Sequence, residues 1–416
     1  MDIKEKLRFI EQIQKPHLRE EKRPESQFRI EDILNGELLE TEFGEAFIRT
    51  KTYDVNERHG TVSLVQIDEV SPYFLHLAGK DENLLQMDLR RALFFDTETT
   101  GLAGGSGTYI FLAGFGYFED DKFIIKQFFL RDFPDEPATL QAIHELLKQF
   151  SGIVSFNGKS FDLPLLQTRF VYHRIINELT DPPHLDLLHA ARRIWKRRLR
   201  DCSLGNLEHE IINVRRNNDI PSYLIPQLYF EYLRTKNPQP LKQVFYHNEI
   251  DILSLVSLTV MLNQIHEQPI EKLDHHVDLK TLAKHYENTN QWQRNIPIFQ
   301  SLINIESNPE VKTDLSLRLG YCYKSLGQWD NAVALWEQLL TNGKFRIETY
   351  EELAKYFEHR IRDFSRAEQI VRQALTNLEI IEQIQQNSEY TEGRKNLLHR
   401  LQRIQKKKAA SLGETD

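Results

Sequence analysis

The sequence predicts an α/β domain, a mixed sheet with flanking helices, followed by an all-α domain of helical repeats. Three observations carry this. Between about residues 88 and 265, strand-like apolar runs alternate with runs of helical period; beyond about residue 270 the strand signals stop; from there a pattern of about 36 residues recurs three times. At 416 residues the chain exceeds one ordinary core, so two or three domains are expected.

Composition narrows the class before any motif is read. Hydrophobic residues at 40% and charged residues at 27% give the balance of a soluble globular protein, excluding disorder as the main theme. A formal net charge of -8 announces no polyanionic partner in the bulk, so any such partner must meet a local patch. Cys202 and Cys322 stand far apart and offer neither a disulfide framework nor a metal-ligand spacing, which fits a reducing cytoplasm. The opening MDIKEKLRFIEQIQK lacks the apolar run of a secretory signal, and ILSLVSLTVML (252–262) is half the length of a bilayer span.

Taken in order, residues 1–87 read as an N-terminal accessory region. It has a short amphipathic helix, a charged loop (REEKRPESQ) and strand-like pieces, GEAFIRTKTYDV and GTVSLVQI. In 88–265, ALFFDTET, TYIFLAGFGYF and FIIKQFFL are strands, the last two joined by a turn at Glu119 to Lys122. ATLQAIHELLKQF is a helix, GIVSFNG a strand, and LPLLQTRFVYHRI a helix with Pro164 in its first turn. Three hairpin-linked strands followed by α-β-α is the order of a ribonuclease-H-like layer. In 270–405, Trp292, Trp329 and Phe364 fall in register, and Leu319-Gly320-x-x-Tyr323 with Ala332-x-x-x-Trp336 resembles the tetratricopeptide pattern. Residues 406–416 read as a polar tail expected to fray.

The chemistry begins at FFDTETTGLAGG. Strand alternation puts Asp96 and Glu98 on one side, and two anions held together are relieved by a divalent cation; hard oxygens suit Mg²⁺ or Mn²⁺. A Walker-type ATPase strand is excluded, since no G-x-x-x-x-G-K-[ST] loop exists. The glycines Gly101, Gly104, Gly105 and Gly107 read as a tight turn more readily than as a phosphate cradle. Asp162 stands where a helix begins, so capping competes with a site role. His247 and Asp251, four apart, share a face at the head of an apolar helix. Four carboxylates at element ends, without a basic partner in the motifs, imply bound cations.

DTETTGL, NGKSFD and HNEID resemble the three motifs of the DEDD (DnaQ-like) exonuclease superfamily. The glycine-rich continuation with HLDLLHAARRIWKRRLRDCSL and DIPSYLIPQLYFEYL resembles more closely the YprB-like predicted exonucleases, which join this domain to tetratricopeptide-like repeats. The resemblance implies a 3′–5′ exonuclease in which Asp96, Glu98, Asp162 and Asp251 hold two metal ions (Mg²⁺ or Mn²⁺) and His247 is the general base. There is one departure: Tyr246 stands five residues before Asp251 and His247 four, a swap relative to the histidine and tyrosine subclasses. His247 is favoured for its titration range and its shared face with Asp251.

Arg192, Arg193, Lys196, Arg197, Arg198 and Arg200, with Trp195 among them, form a dense basic patch that reads either as a phosphate-tracking surface or as a solvated helix face. Arg193 and Arg197, with Thr99, Asn157 and Lys159 beside the motifs, are the substrate-binding candidates, the substrate being DNA or RNA. Asp186 is expected to fix local structure, and His184 and His189 lack the partners of a zinc site. Two further readings are a non-catalytic module that recognises nucleic-acid ends and an adaptor whose repeats recruit a protein partner.

Overall fold

The computed structural model describes residues 29–101, 107–175, 182–217, 219–342, 344–385 and 391–413. The expected N-terminal helix, the REEKRPESQ loop, Gly104, Gly105 and the last three residues lie outside the described residues. The chain divides into two compact units: one holds the described residues up to Asp68 with Glu82–Asp186 and Ile212–Ser257, the other Glu69–Asp81, Leu187–Ile211 and the residues from Leu258 onward.

The first unit is built on one mixed sheet. Its strands are β1 (Glu37–Thr41), β2 (Gly44–Asp54), β5 (Ala92–Thr99), β6 (Ile110–Glu119), β7 (Lys122–Phe129), β8 (Gly152–Ser155) and β9 (His184–Asp186). They lie in the order β1-β2-β7-β6-β5-β8-β9, and a separate two-strand ladder pairs β3 (Arg58–His59) with β4 (Val62–Ser63). Pairing is antiparallel from β1 through β5 and parallel from β5 through β8 to β9. In the antiparallel half β1–β2 and β6–β7 are hairpins, while β2 pairs β7 across a long stretch of sequence. Helices α1 (Glu136–Leu147) and α2 (Asp162–Tyr172) make the crossovers that the parallel half requires. GEAFIRTKTYDV is thus a strand of this sheet, β2 lying beside β7. GTVSLVQI is not: after β4 it turns into a 3-10 helix, Leu64–Glu69.

Both faces of the sheet are covered, which explains why IFLAGFGYF is buried along its whole length rather than in alternation. Ala113, Phe115 and Tyr117 share a core with Ile143, Leu146 and Leu147 of α1 and Phe170 of α2. Phe47, Leu112 and Phe129 pack with Val244 and Phe245 of a long helix, Leu241–Glu267, and with Tyr229 of Ile225–Thr235. Continuing in chain order, α3 is Leu187–Trp195, α4 is Ile225–Thr235 and α5 is Leu241–Glu267.

In the second unit the strands stop, as expected, and helices α6 (His276–Asn288), α7 (Trp292–Ile305), α8 (Pro309–Ser325), α9 (Trp329–Asn342), α10 (Ile347–Lys355), α11 (Phe364–Gln385) and α12 (Thr391–Gly413) follow, each packed on the next. Trp292, Trp329 and Phe364, the residues in register, each open the second helix of a pair. Gly320 has a packing reason: a Cβ there would lie 2.1 Å from Trp336 Nε1, and Trp336 is fully buried. Residues 406–413 of the expected polar tail continue α12. Among the described residues no helix is long and apolar enough to cross a membrane.

The basic patch is also revised. Trp195 is fully buried, Arg193 turns inward to donate to the Ala78 carbonyl, and Arg198 pairs with buried Asp278 at 2.7 Å, all within the second unit. Arg192, Lys196, Arg197 and Arg200 keep their exposure. An aromatic at helical spacing has gone to the core, taking two of the six cations into structural work.

Candidate active site

Strand β5 runs through four fully buried residues, Ala92, Leu93, Phe94 and Phe95, before Asp96 and Glu98 emerge at its C-terminal end. Asp96 stands opposite Gly114 of β6, and a register shift follows at Glu98 and Thr99. Gly114 is a glycine for a reason of space. A Cβ there would lie 2.1 Å from Asn248 Oδ1, so the bare backbone lets α5 close onto the sheet. That approach brings Asn248 Nδ2 to Asp96 Oδ2 at 2.8 Å, while Gln127 Nε2 donates to Asn248 Oδ1 at 2.9 Å and fixes its orientation.

Strand β8 delivers Asp162 from the neighbouring position. The chain leaves the strand through Asn157, whose backbone is left-handed (φ 67°), and Asp186 at the end of β9 accepts the backbone N–H groups of Asn157 at 2.8 Å and Lys159 at 3.3 Å. Asp186 therefore fastens the turn, as its position suggested. Asp162 is the first residue of α2, and its carboxylate accepts the Thr97 hydroxyl.

The third element is α5. It begins at Leu241, so His247 and Asp251 lie in its second and third turns rather than at its head. His247 Nε2 is 3.6 Å from Asp251 Oδ2 and 4.0 Å from Glu98 Oε1. Its Nδ1 lies 2.9 and 3.0 Å from the two oxygens of Asp219, and 3.1 Å from Arg216 Nη1. Of those neighbours only Asp219 accepts, which assigns the proton to Nδ1 and leaves the Nε2 lone pair facing the acids.

The electrostatics are those of an under-compensated cluster. Burial, then the charges of Asp251 and Asp162, hold the Asp96 carboxyl well above its ordinary range; burial, then Asp96, Asp251 and Asp162, do the same to Glu98. Burial carries Asp162 to about 6 despite the Thr97 hydrogen bond. For His247, burial alone would lower its affinity for a proton, but Asp219 and Asp251 outweigh it and raise the value. Asp219 moves the other way: burial is outweighed by His247 and Arg216.

This donor set fits a divalent cation. Glu98, His247 and Asp251 each offer a ligand atom, all within 4.8 Å of one another, and the raised Asp96 and Glu98 are carboxylates whose repulsion a cation would relieve. One cation is already present: Arg216 donates to Asp251 Oδ1 and, at 2.9 Å, to Asp219 Oδ2.

Sequence reasoning missed Thr97, Asn248, Arg216 and Asp219. Thr97 and Asn248 lie inside the quoted motifs and needed only the question of what positions Asp162 and Asp96. Arg216 and Asp219 sit in an irregular stretch, VRRNNDIPS, where no periodicity announces a role. Among the substrate-binding candidates, Asn157 and Lys159 are exposed beside Asp162, whereas Thr99 is buried and donates to the Gly101 carbonyl at 3.0 Å. The expected turn between Gly101 and Gly107 lies outside the described residues. Tyr246 makes no hydrogen bond to the cluster among the described residues.

Comparison with known proteins agrees with this arrangement. Residues 93–263, which contain all four acids and His247, match the model of the RNase_H superfamily. The chain is also 35% identical over 340 residues to the uncharacterized protein YprB of Bacillus subtilis (strain 168), an alignment covering 79% of this chain and 80% of that protein. A mixed sheet carrying acids at the end of an interior strand, with a sequence match over that same region, leads to one conclusion: the chain belongs to the RNase_H superfamily, in the same family as YprB, and its fold is one associated with nucleic-acid hydrolysis.

Proposed function

We propose that the chain is a metal-dependent nuclease of the DEDD type, hydrolysing phosphodiester bonds of DNA or RNA from the 3′ end. The observation that carries this reading is the convergence of Asp96, Glu98, Asp162 and Asp251 from three elements, with buried carboxylates pressed against one another. These four side chains would hold two Mg²⁺ or Mn²⁺ ions. When bound, such ions supply charge neutralisation and Lewis-acid activation of water and phosphate.

The chain's own residues do the rest. Asn248 keeps one Asp96 oxygen oriented, Thr97 does so for Asp162, and Arg216 occupies Asp251 Oδ1, leaving Oδ2 turned toward His247. His247 takes the proton of the attacking water at Nε2, while Asp219 holds Nδ1 and stabilises the cationic ring that results. Asn157 and Lys159, both exposed, are the groups proposed to meet a phosphate of the substrate strand. We read residues 88–265 as the catalytic domain and 270–405 as tetratricopeptide-like repeats open to a protein partner.

The test uses DNA and RNA oligonucleotides labelled at the 5′ end, incubated with purified protein and Mn²⁺ or Mg²⁺. A ladder shortening one nucleotide at a time supports the reading. Absence of cleavage, or cleavage undiminished in Asp96→Ala, contradicts it.

A further inference from the structure

The second unit carries a groove of about 600 Å³ that the hydrolytic reading does not use. Five lysines and arginines line it: Lys324 of α8, Lys355 of α10, Arg360 of the π-helical segment Tyr356–Ile361, and Arg400 and Arg403 of α12. A single carboxylate, Glu352, lines it with them. In a chain of net charge -8 this is a local reversal of sign.

The cations are held in place rather than splayed. Glu352 binds Lys355 at 2.7 Å and Lys324 through its other oxygen. Glu358, whose side chain is fully buried, accepts Arg403 through two 2.7 Å bonds and Arg400 at 3.1 Å. Burial would raise the Glu358 carboxyl, but the hydrogen bonds from Arg403 and Lys407 win and hold it at about 2. Each guanidinium has more N–H donors than these bonds use, so Arg400 and Arg403 retain donors for a second anion. Arg360 makes no ion pair among the described residues; its guanidinium lies over the Trp329 ring at 5.0 Å, and Trp329 stacks on Tyr356 with centroids 5.7 Å apart at 25°.

We propose that this groove binds single-stranded nucleic acid, with phosphates on Lys355, Arg400 and Arg403 and a base against the stack of Arg360, Trp329 and Tyr356. Carboxylates of an acidic peptide would be satisfied by the cations alone. The planar stack is what a base adds to the account, since every nucleobase has a face and stacking is indifferent to sequence. The site goes beyond the hydrolytic reading and stands apart from it, because binding needs neither metal nor cleavage.

The experiment is anisotropy of a fluorescein-labelled oligo(dT) or oligo(U) of about twelve nucleotides, within the range such grooves accommodate, titrated with the full chain in EDTA across a salt series. Arg360→Ala removes an exposed side chain from the stack and should weaken binding about tenfold, whereas Lys355→Ala should lower the salt slope by about 0.7, the share of one single-strand phosphate contact. A second readout does not depend on affinity: oligonucleotide quenching of indole emission should be largely lost in Trp329→Phe. The proposal is overturned if the parent binds no oligonucleotide, if Arg360→Ala leaves affinity unchanged, if Lys355→Ala leaves the salt slope unchanged, or if quenching persists in Trp329→Phe. It is equally overturned if a Glu-rich peptide of similar length binds more tightly at the same salt, which would make the groove a peptide site.

Discussion

Two groups of buried carboxylates, one in each unit, are treated in opposite ways. In the sheet-based unit, Asp96 and Glu98 face Asp162 and Asp251, and one guanidinium, Arg216, serves the group; the acids are pushed up. In the helical unit, Glu358 is surrounded by Arg400, Arg403 and Lys407 and is held at about 2. The fold itself neutralises a charge it uses for structure. Acids left to repel one another mark a place where the counter-charge arrives from outside.

The largest expected effect breaks the first half of that comparison. Asp96→Ala should reduce metal-dependent cleavage by about three orders of magnitude or more, on the order of 4 kcal/mol of transition-state stabilisation. A matching loss of melting temperature should not appear, because the substitution removes repulsion. Next, Mn²⁺ at about a hundred times its dissociation constant should stabilise the parent by about 2.7 kcal/mol, read as a shift in thermal midpoint, and should fail to do so in Asp96→Asn.

Glu358→Gln should act oppositely to the Asp96 variants, destabilising by about 1–3 kcal/mol in denaturant melts, a figure reduced for the partial exposure of the three cations. Its pH dependence has a definite sign. The folded carboxyl titrates at about 2 against 4.5 when unfolded, so its stabilisation is present above 4.5 and is lost as pH falls toward 2. Gly114→Ala sharpens the comparison more gently. The added methyl meets Asn248 Oδ1 and should cost about 1–3 kcal/mol by overpacking, with a fall in cleavage as Asn248 is pushed from Asp96.

How far the sequence carried the reading differs between the same two units. The order of strands and helices in the first was legible because each element has its own period and the glycine-rich β6 still reads as a continuous apolar run. Asp96, Glu98 and Asp162 were legible because carboxylates at element ends are conspicuous, and Asp251, inside α5, through its four-residue spacing from His247. Arg216 and Asp219 were not, since an irregular loop carries no spacing from which a partner could be inferred. The basic run of α3 misled for a different reason: charge density is visible in sequence, but which side of the helix Trp195 and Arg193 take is decided by packing. The groove cations share that property in reverse, being gathered from four segments too far apart to read as a cluster.

Isothermal titration of Mn²⁺ into the parent and into Asp96→Asn tests most directly that the opposed carboxylates form a metal cage. Two ions per chain in the parent, with the tighter event lost in the variant, is the predicted result. No heat in the parent, or the same isotherm in both, would contradict it.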